Sequence, residues 1–443
     1  MHPVAADDEA LVDAPPAPVR VDVDVLVHVH VLVHVHVHDD ARDDARGGPG
    51  PSTPTKAAGR REGAEGGNEQ LVFHPSGLPS SFPPSRARRG RWRAPALLAL
   101  ALLACEGPPP AELTVISATE REVVPRLDVI QGRDGAPSGL AFGKTVWTFG
   151  DTVLEAADER GENWHTNSYA YADPESWREG FEEPVDATGA PRYFIERTAE
   201  EIAWDDAHAP EECPEAPCLS RWAIWPSQPL FDPASGEAWV LYGLYNEHND
   251  SGIGVGRWRG LDRPVERVRV GDGWLLFPRP EPEYSNAPTI YEGHLYAFGC
   301  VRDGLAHHCS IGRAPLDAVA DRSAWTFWDG AAWGSEIDRA VRLFEGAPIM
   351  SVGFNATLDR WLLVYTPPFD NEVYARTATA LEGPWSERVR LFRVEGEAPY
   401  DAQHHPDLTE AGGAREIVTY SRPTGRGWFG AEHVAWEVEL AAP

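Results

Sequence analysis

GKTVWTFGD at residues 143–151 is a turn that runs into a short strand of aromatic and β-branched residues. The arrangement returns as GEAWVLYGL (236–244), EGHLYAFGC (292–300), LDRWLLVYT (358–366) and AREIVTYSR (414–422). After four of the five, a polar loop leads to a further strand: GIGVGRW, HHCSIGRA, EVYARTA and AEHVAWEVEL. Before each lies another candidate strand: PSGLAF, SQPLFD, APTIYE, SVGFNATL and HHPDLTE. Gly, Asn and Asp between the runs are hairpin chemistry. No amphipathic helix longer than about two turns is expected between them.

Five units of three or four antiparallel strands predict radial repetition around a channel, an all-β five-bladed β-propeller over residues 123–443. The copies start 93, 56, 66 and 56 residues apart, which suits propeller blades carrying insertions. A β-sandwich does not require five copies of one unit, and a β-helix has shorter, more regular rungs.

Upstream of the repeats the character of the chain changes. Residues 21 to 38 alternate Val with Asp or His almost without exception, and a DDARDDAR and Gly/Pro/Ser tract follows. Such composition cannot bury a core, so residues 1–85 are expected to be a disordered or mis-assigned extension. His28, His30, His34, His36 and His38 have no Cys or spaced acidic partner, and no metal site is expected of them. Residues 86–104 are different. RARRGRWR is a positive flank, and APALLALALLA is an apolar run too short to span a bilayer. The run ends in LLAC, which resembles a bacterial lipobox. That resemblance implies a signal peptide over 86–104, lipidation of Cys105 and a tether over 105–122.

From Cys105 onward the chain carries 28 Lys and Arg against 56 Asp and Glu, a net charge of −28, with Lys144 its one lysine. A surface so acidic repels phosphate backbones and anionic lipid. Nucleic acid is therefore not an expected partner, and membrane contact is expected only through the lipid anchor. The protein is expected to be exported, on the periplasmic or outer surface of the envelope, and monomeric. Cys213 and Cys218 in CPEAPC, and Cys300 and Cys309 in CVRDGLAHHC, read as two short-loop disulfides, the second across a hairpin. Neither pair has zinc-site spacing. Sixteen of the 17 tryptophans lie beyond Cys105, suited to a large core or to stacking on sugar rings.

GRDGAPSGLAFGKTVWTFGDT (132–152) resembles the opening blade of a largely uncharacterised group of secreted bacterial propeller proteins, in which a D-G-x-x-S turn precedes a strand ending F-G-D-T. YSNAPTIYEGHLYAFG, MSVGFNATLDRWLLVYT and YDAQHHPDL resemble that group's later blade-opening strands. The group is similar to the five-bladed furanose-cleaving glycosidases, arabinanases and β-xylosidases. The resemblance implies a cell-surface glycoside hydrolase acting on a furanose- or pentose-containing polysaccharide through paired carboxylates at the channel mouth. The alternative is a non-catalytic glycan-binding propeller of the envelope. Asp134 stands where the group has an acidic residue, with Ser138 nearby as a donor, and Asp151 ends the next strand. Both also fit as turn residues. Glu283, with Glu281 its rival, is the implied third-blade acid. His404 or His405 is the implied channel histidine, organising water or a divalent cation such as calcium. Asn286, Asn355 and Gln403 occupy comparable opening positions and could bond sugar hydroxyls, and Trp164 and Trp225 could form stacking walls. No phosphate loop, GxSxG elbow or HExxH helix is present.

Overall fold

The computed structural model describes residues 108–212, 221–396, 399–426 and 429–443. The chain divides into two units, 1–104 and 105–443, and every described residue belongs to the second. The expected extension, the signal, Cys105 and the Cys213–Cys218 bridge lie outside the described residues.

Each repeated hairpin becomes the centre of its own antiparallel sheet. Sheet I joins Ser138–Ala141, Lys144–Phe149 and Ser168–Ala172. Sheet II is built on Glu237–Tyr245 and Gly252–Trp258, with Ala223–Pro226 and Leu230–Asp232 both paired to the first of these. Sheet III holds Asn286–Tyr291, His294–Asp303 and Ala306–Pro315, and Sheet IV runs Met350–Asn355, Arg360–Tyr365, Glu372–Ala378, Val389–Arg393. Sheet V holds Tyr400–His404, Arg415–Pro423 and Ala431–Ala441. A small accessory sheet of Ile130–Arg133, Thr152–Leu154 and Trp164–His165 flanks Sheet I in sequence.

The central strands are buried almost from end to end: in Lys144–Phe149 and Arg360–Tyr365 only the first residue is partly exposed. These two strands are covered on both faces, which is why they read as unbroken apolar runs rather than as alternation. Hydrophobic clusters fill the spaces between successive sheets. Val146 and Tyr169 of Sheet I meet Val240 and Trp258 of Sheet II. Leu241 and Phe277 meet Leu295 and Phe327 of Sheet III. Phe298 and Ile311 meet Val352 and Leu363 of Sheet IV, and Leu362 and Val364 meet Val418 and Val434 of Sheet V. Ile417 and Ala435 of Sheet V then meet Trp147 and Ala170 of Sheet I. The opening strands touch in the same cyclic order, and the 3-10 turn Pro406–Leu408 brings the last back to Ser138–Ala141.

Four features differ from the sequence reading. The fifth opening strand is Tyr400–His404 rather than HHPDLTE, because Pro406 has no amide to extend the ladder and begins a 3-10 turn. The second opening segment is split, and its first part, Ala223–Pro226, carries Trp225. Half of the expected tether is strand: Thr114–Val123 pairs with Ala431–Ala441, so both ends of the described chain share Sheet V. Finally, Ala199–Glu212 is a 14-residue helix. Its start is a capping box, Thr198 N donating to Glu201 Oε2 at 2.8 Å and Glu201 N to Thr198 Oγ1 at 3.2 Å. Buried ion pairs hold it, Arg197 to Asp205 at 2.6 Å and Arg267 to Glu201 at 2.7 Å. An apolar stripe is nearly absent from AEEIAWDDAHAPEE, so hydrophobic period could not find it. No described helix is long and apolar enough to cross a membrane. Cys300 and Cys309 stand opposite each other in Sheet III and are disulfide-bonded.

Candidate functional site

The turn before Ser138–Ala141 and the end of Lys144–Phe149 are tied by backbone. Asp134 N donates to Asp151 O at 3.1 Å, and Gly150 N donates to Asp134 O at 2.9 Å. This pairing brings the two aspartates of the first repeat together, 3% and 1% exposed. A methyl group added at Gly150 would stand 2.6 Å from Asp134 Oδ1 and 3.5 Å from Trp225 Cδ1. The FGD strand end carries glycine because the Asp134 carboxylate lies directly against its backbone.

A third carboxylate, absent from the sequence reading, comes from Sheet V. Asp401 is 7% exposed and sits at φ 55°, a left-handed conformation that aspartate tolerates better than most residues. Its Oδ2 accepts Gly135 N at 2.6 Å and Ser421 Oγ at 2.8 Å, and its Oδ1 accepts Ser421 N at 2.8 Å. Burial, and after it the charge of Asp134, push its carboxyl up to about 7 against the lowering effect of these bonds. Neighbouring Tyr400 is held well above the ordinary phenol range by lost solvation and then by Asp134, Asp401 and Asp151, so it remains protonated among three carboxyl groups. Nothing local in YDAQHH sets Asp401 apart, because its partner Gly135 is 266 positions away in the chain.

From Asp151 the site continues across Sheet II to Sheet III. Trp225 Nε1 donates to Asp151 Oδ1 at 3.1 Å, and the partly exposed Trp225 ring packs on Tyr245 with centroids 4.9 Å apart. Tyr245 donates its hydroxyl to Glu283 Oε2 at 3.0 Å, and Arg279 Nε donates to Glu283 Oε1 at 2.6 Å. Asp134, Asp151 and Glu283 therefore belong to one connected wall. Glu281 instead faces Arg322 at 3.1 Å.

The remaining expected residues are placed otherwise. Asn286 bridges Sheets III and IV, its Nδ2 donating to Ala347 O and Pro348 O and its Oδ1 accepting Met350 N. Asn355 donates to Gly413 O and Glu416 Oε1 and accepts Leu358 N. Both amides are spent inside the protein, not on sugar hydroxyls. His405 is fully buried, stacked on Trp147 with centroids 4.2 Å apart, its ring nitrogens 2.8 Å from Ser138 Oγ and Thr419 Oγ1. That is a core histidine. Ser138 serves His405 and Asp407 rather than Asp134. Trp164 is 4% exposed in the accessory sheet and offers no stacking face. Gln403 and His404 are each 2% exposed, and burial takes the His404 ring down to about 3, so it is neutral.

Calcium takes six to eight oxygen ligands, and the buried, neutral His404 imidazole offers nitrogen in place of oxygen. The metal-ligand cluster found among the described residues is Asp158, Glu162 and His165, the last in the accessory sheet. Arg197 donates to both Glu162 oxygens at 2.6 and 2.7 Å, and Tyr193 also donates to Glu162. A guanidinium already occupies a cation's position there, so the cluster does not fit an added ion.

A family model described as a domain of unknown function, DUF4185, matches residues 272–420. A search of curated proteins found no match. Among solved structures the chain is similar to an exo-β-1,3-galactanase from Phanerochaete chrysosporium with β-1,3-galactotriose. The two are 11% identical over 73% of this chain and 64% of that one, just under two thirds of the galactanase, with a TM-score of 0.42. It is also similar to a family 117 glycoside hydrolase from Zobellia galactanivorans, 10% identical over 74% of this chain and 91% of that one, TM-score 0.42. An α-L-arabinofuranosidase from Podospora anserina in complex with cellotriose is 13% identical over 76% and 98%, TM-score 0.41. A largely uncharacterised family is what the sequence resemblance named.

Proposed function

We propose that residues 123–443, closed by the strand Thr114–Val123, form a five-bladed β-propeller. In this reading the domain is a glycoside hydrolase of furanose- or pentose-containing polysaccharide. The observation that carries it is the gathering of Asp134, Asp151 and Asp401 from the first and last sheets beside the partly exposed Trp225. Glycoside cleavage needs one ionised and one protonated carboxyl group near one sugar, and unequal surroundings are how a site supplies both. Trp225 offers the sugar an apolar face. In this reading Asp134 activates water or attacks the anomeric carbon. Export and a lipid anchor at Cys105 belong to the same proposal, supported by the basic flank, the short apolar run and LLAC.

One observation favours the second reading, a non-catalytic glycan-binding propeller. Glu283 has both oxygens engaged, by Tyr245 and Arg279, and is not free to serve a leaving oxygen. Full-length protein assayed on arabinan, xylan, galactan and nitrophenyl glycosides separates the two. A hydrolase releases reducing ends, and Asp134→Asn lowers that rate by roughly 10²–10⁴-fold with an unchanged melting temperature. Retention of a polysaccharide with no release selects the binding reading, and a variant as active as the parent refutes the role of Asp134.

A further inference from the structure

The chain enters the domain at the end opposite the carboxylates. Asp134, Glu283 and Asp401 stand at or just before the starts of opening strands. Tyr291 and Phe354 stand at or next to the far ends of Asn286–Tyr291 and Met350–Asn355, each 6 residues or about 20 Å long. Glu112 marks the entry: it pairs with Arg360, which stands opposite Asn355, one rung from the Phe354–Trp361 pair. Pro109 O accepts Glu387 N at 2.8 Å, so the chain is held as far back as Pro109. Cys105 is four residues earlier. Four extended residues reach no farther than about 14 Å, so whatever is joined to Cys105 stays that close to Pro109.

Two aromatic rings face outward at this end. Tyr291 is 43% and Phe354 51% exposed, on Sheets III and IV, and both meet the buried Trp361 ring edge-on, with centroids 5.2 and 5.6 Å away. The turn Glu292–Gly293, at φ 46° and 74°, is the tight hairpin form and leaves Tyr291 at the edge of its sheet. Aromatic rings with polar neighbours suit the headgroup layer of a bilayer, roughly 5–8 Å thick, and the reach from Pro109 covers that depth. Exposed Glu292 and Asp359 flank the rings, so neutral headgroups are accepted and anionic ones repelled.

We propose that this end is the membrane-facing surface of the anchored protein: Tyr291 and Phe354 rest in the headgroup layer of a zwitterionic bilayer, and the carboxylate site opens away from it. This rests on the reading of Cys105 as a lipid anchor. A polymer arriving from solution then meets the site without crossing the lipid.

The test is hydroxyl-radical footprinting of the full-length chain, expressed in a bacterium that acylates lipoproteins, placed in phosphatidylcholine vesicles and read by mass spectrometry. The comparison is Cys105→Ser in solution, a change outside the described residues. Oxidation of Tyr291 and Phe354 should fall by about threefold or more on the vesicles. Phe369, 52% exposed, lies beyond Tyr365, whose partner Met350 begins an opening strand, so its oxidation should be unchanged. Equal oxidation of Tyr291 and Phe354 in the acylated and soluble proteins overturns the proposal, as does protection of Phe369 in their place. Protection that grows with concentration in the soluble protein means that a second copy covers the rings, and also overturns it. An unacylated Cys105 in the same spectra refutes the anchor and this face with it, whereas an acylated Cys105 without protected rings refutes the face alone.

Discussion

Glu416 allows a quantitative test of how dry its own surroundings are. It lies on Arg415–Pro423, 2% exposed, its Oε1 accepting Asn355 Nδ2 at 2.6 Å, while its Oε2 has no hydrogen-bond partner among the described residues. Burial raises its carboxyl from 4.5 to about 8, and the Asn355 bond offsets only part of that. Above pH 4.5 the unfolded chain loses this proton while the folded protein keeps it, so stability falls as pH rises, until the folded group ionises near 8. At about 1.4 kcal/mol per unit the loss is about 3 kcal/mol at pH 7 and about 5 kcal/mol above pH 8. Glu416→Gln keeps the oxygen that Asn355 needs and cannot ionise. Its new amide group adds a cost that is the same at every pH, so the difference between variant and parent isolates the carboxyl. Urea unfolding of both proteins from pH 4.5 to 8.5 should show the variant gaining about 4 kcal/mol relative to the parent between pH 5 and pH 8. Parallel curves across that range would show that Glu416 is ionised in the folded protein and that the argument from burial is wrong.

Asn167, fully buried, accepts Phe194 N and Ile195 N and donates to Ile195 O and Ile224 O, fixing the strand that carries Trp225. Asn167→Ala leaves four backbone groups without partners and should cost at least about 3 kcal/mol in urea unfolding, and a loss under 1 kcal/mol would contradict that accounting. The Cys300–Cys309 bridge closes a separation of 9 residues, so replacing both cysteines by alanine should lower stability by about 2.5 kcal/mol. Equal unfolding midpoints for the reduced and oxidised parent would remove that contribution.

Hairpin chemistry and apolar runs are local, and they located the five central strands; cysteine spacing pointed to the Cys300–Cys309 bridge, and the resemblance of GRDGAPSGLAFGKTVWTFGDT pointed to the turn bearing Asp134. Each depends on residues within about ten positions of one another, which is the range over which turn geometry and strand pattern act. The N-terminal strand and the helix at Ala199–Glu212 lay outside that reach. Thr114–Val123 is half polar and gains its place only by pairing with a partner some 320 positions away, and the helix is held by arginines rather than by an apolar stripe. The same division runs through the site. Asp134 and Asp151 were legible because one hairpin brings them together. Trp225, Tyr245 and Glu283 form a continuous wall only where Sheets I, II and III meet. Asn286, Asn355 and His405 sit in the expected opening segments, yet each turns its polar atoms into the protein, because pattern assigns a residue to a strand without assigning its partners. Asp401 could be found only in three dimensions: the closing of Sheet V onto Sheet I sets it behind Gly135, and no local signal in YDAQHH encodes a contact across that distance.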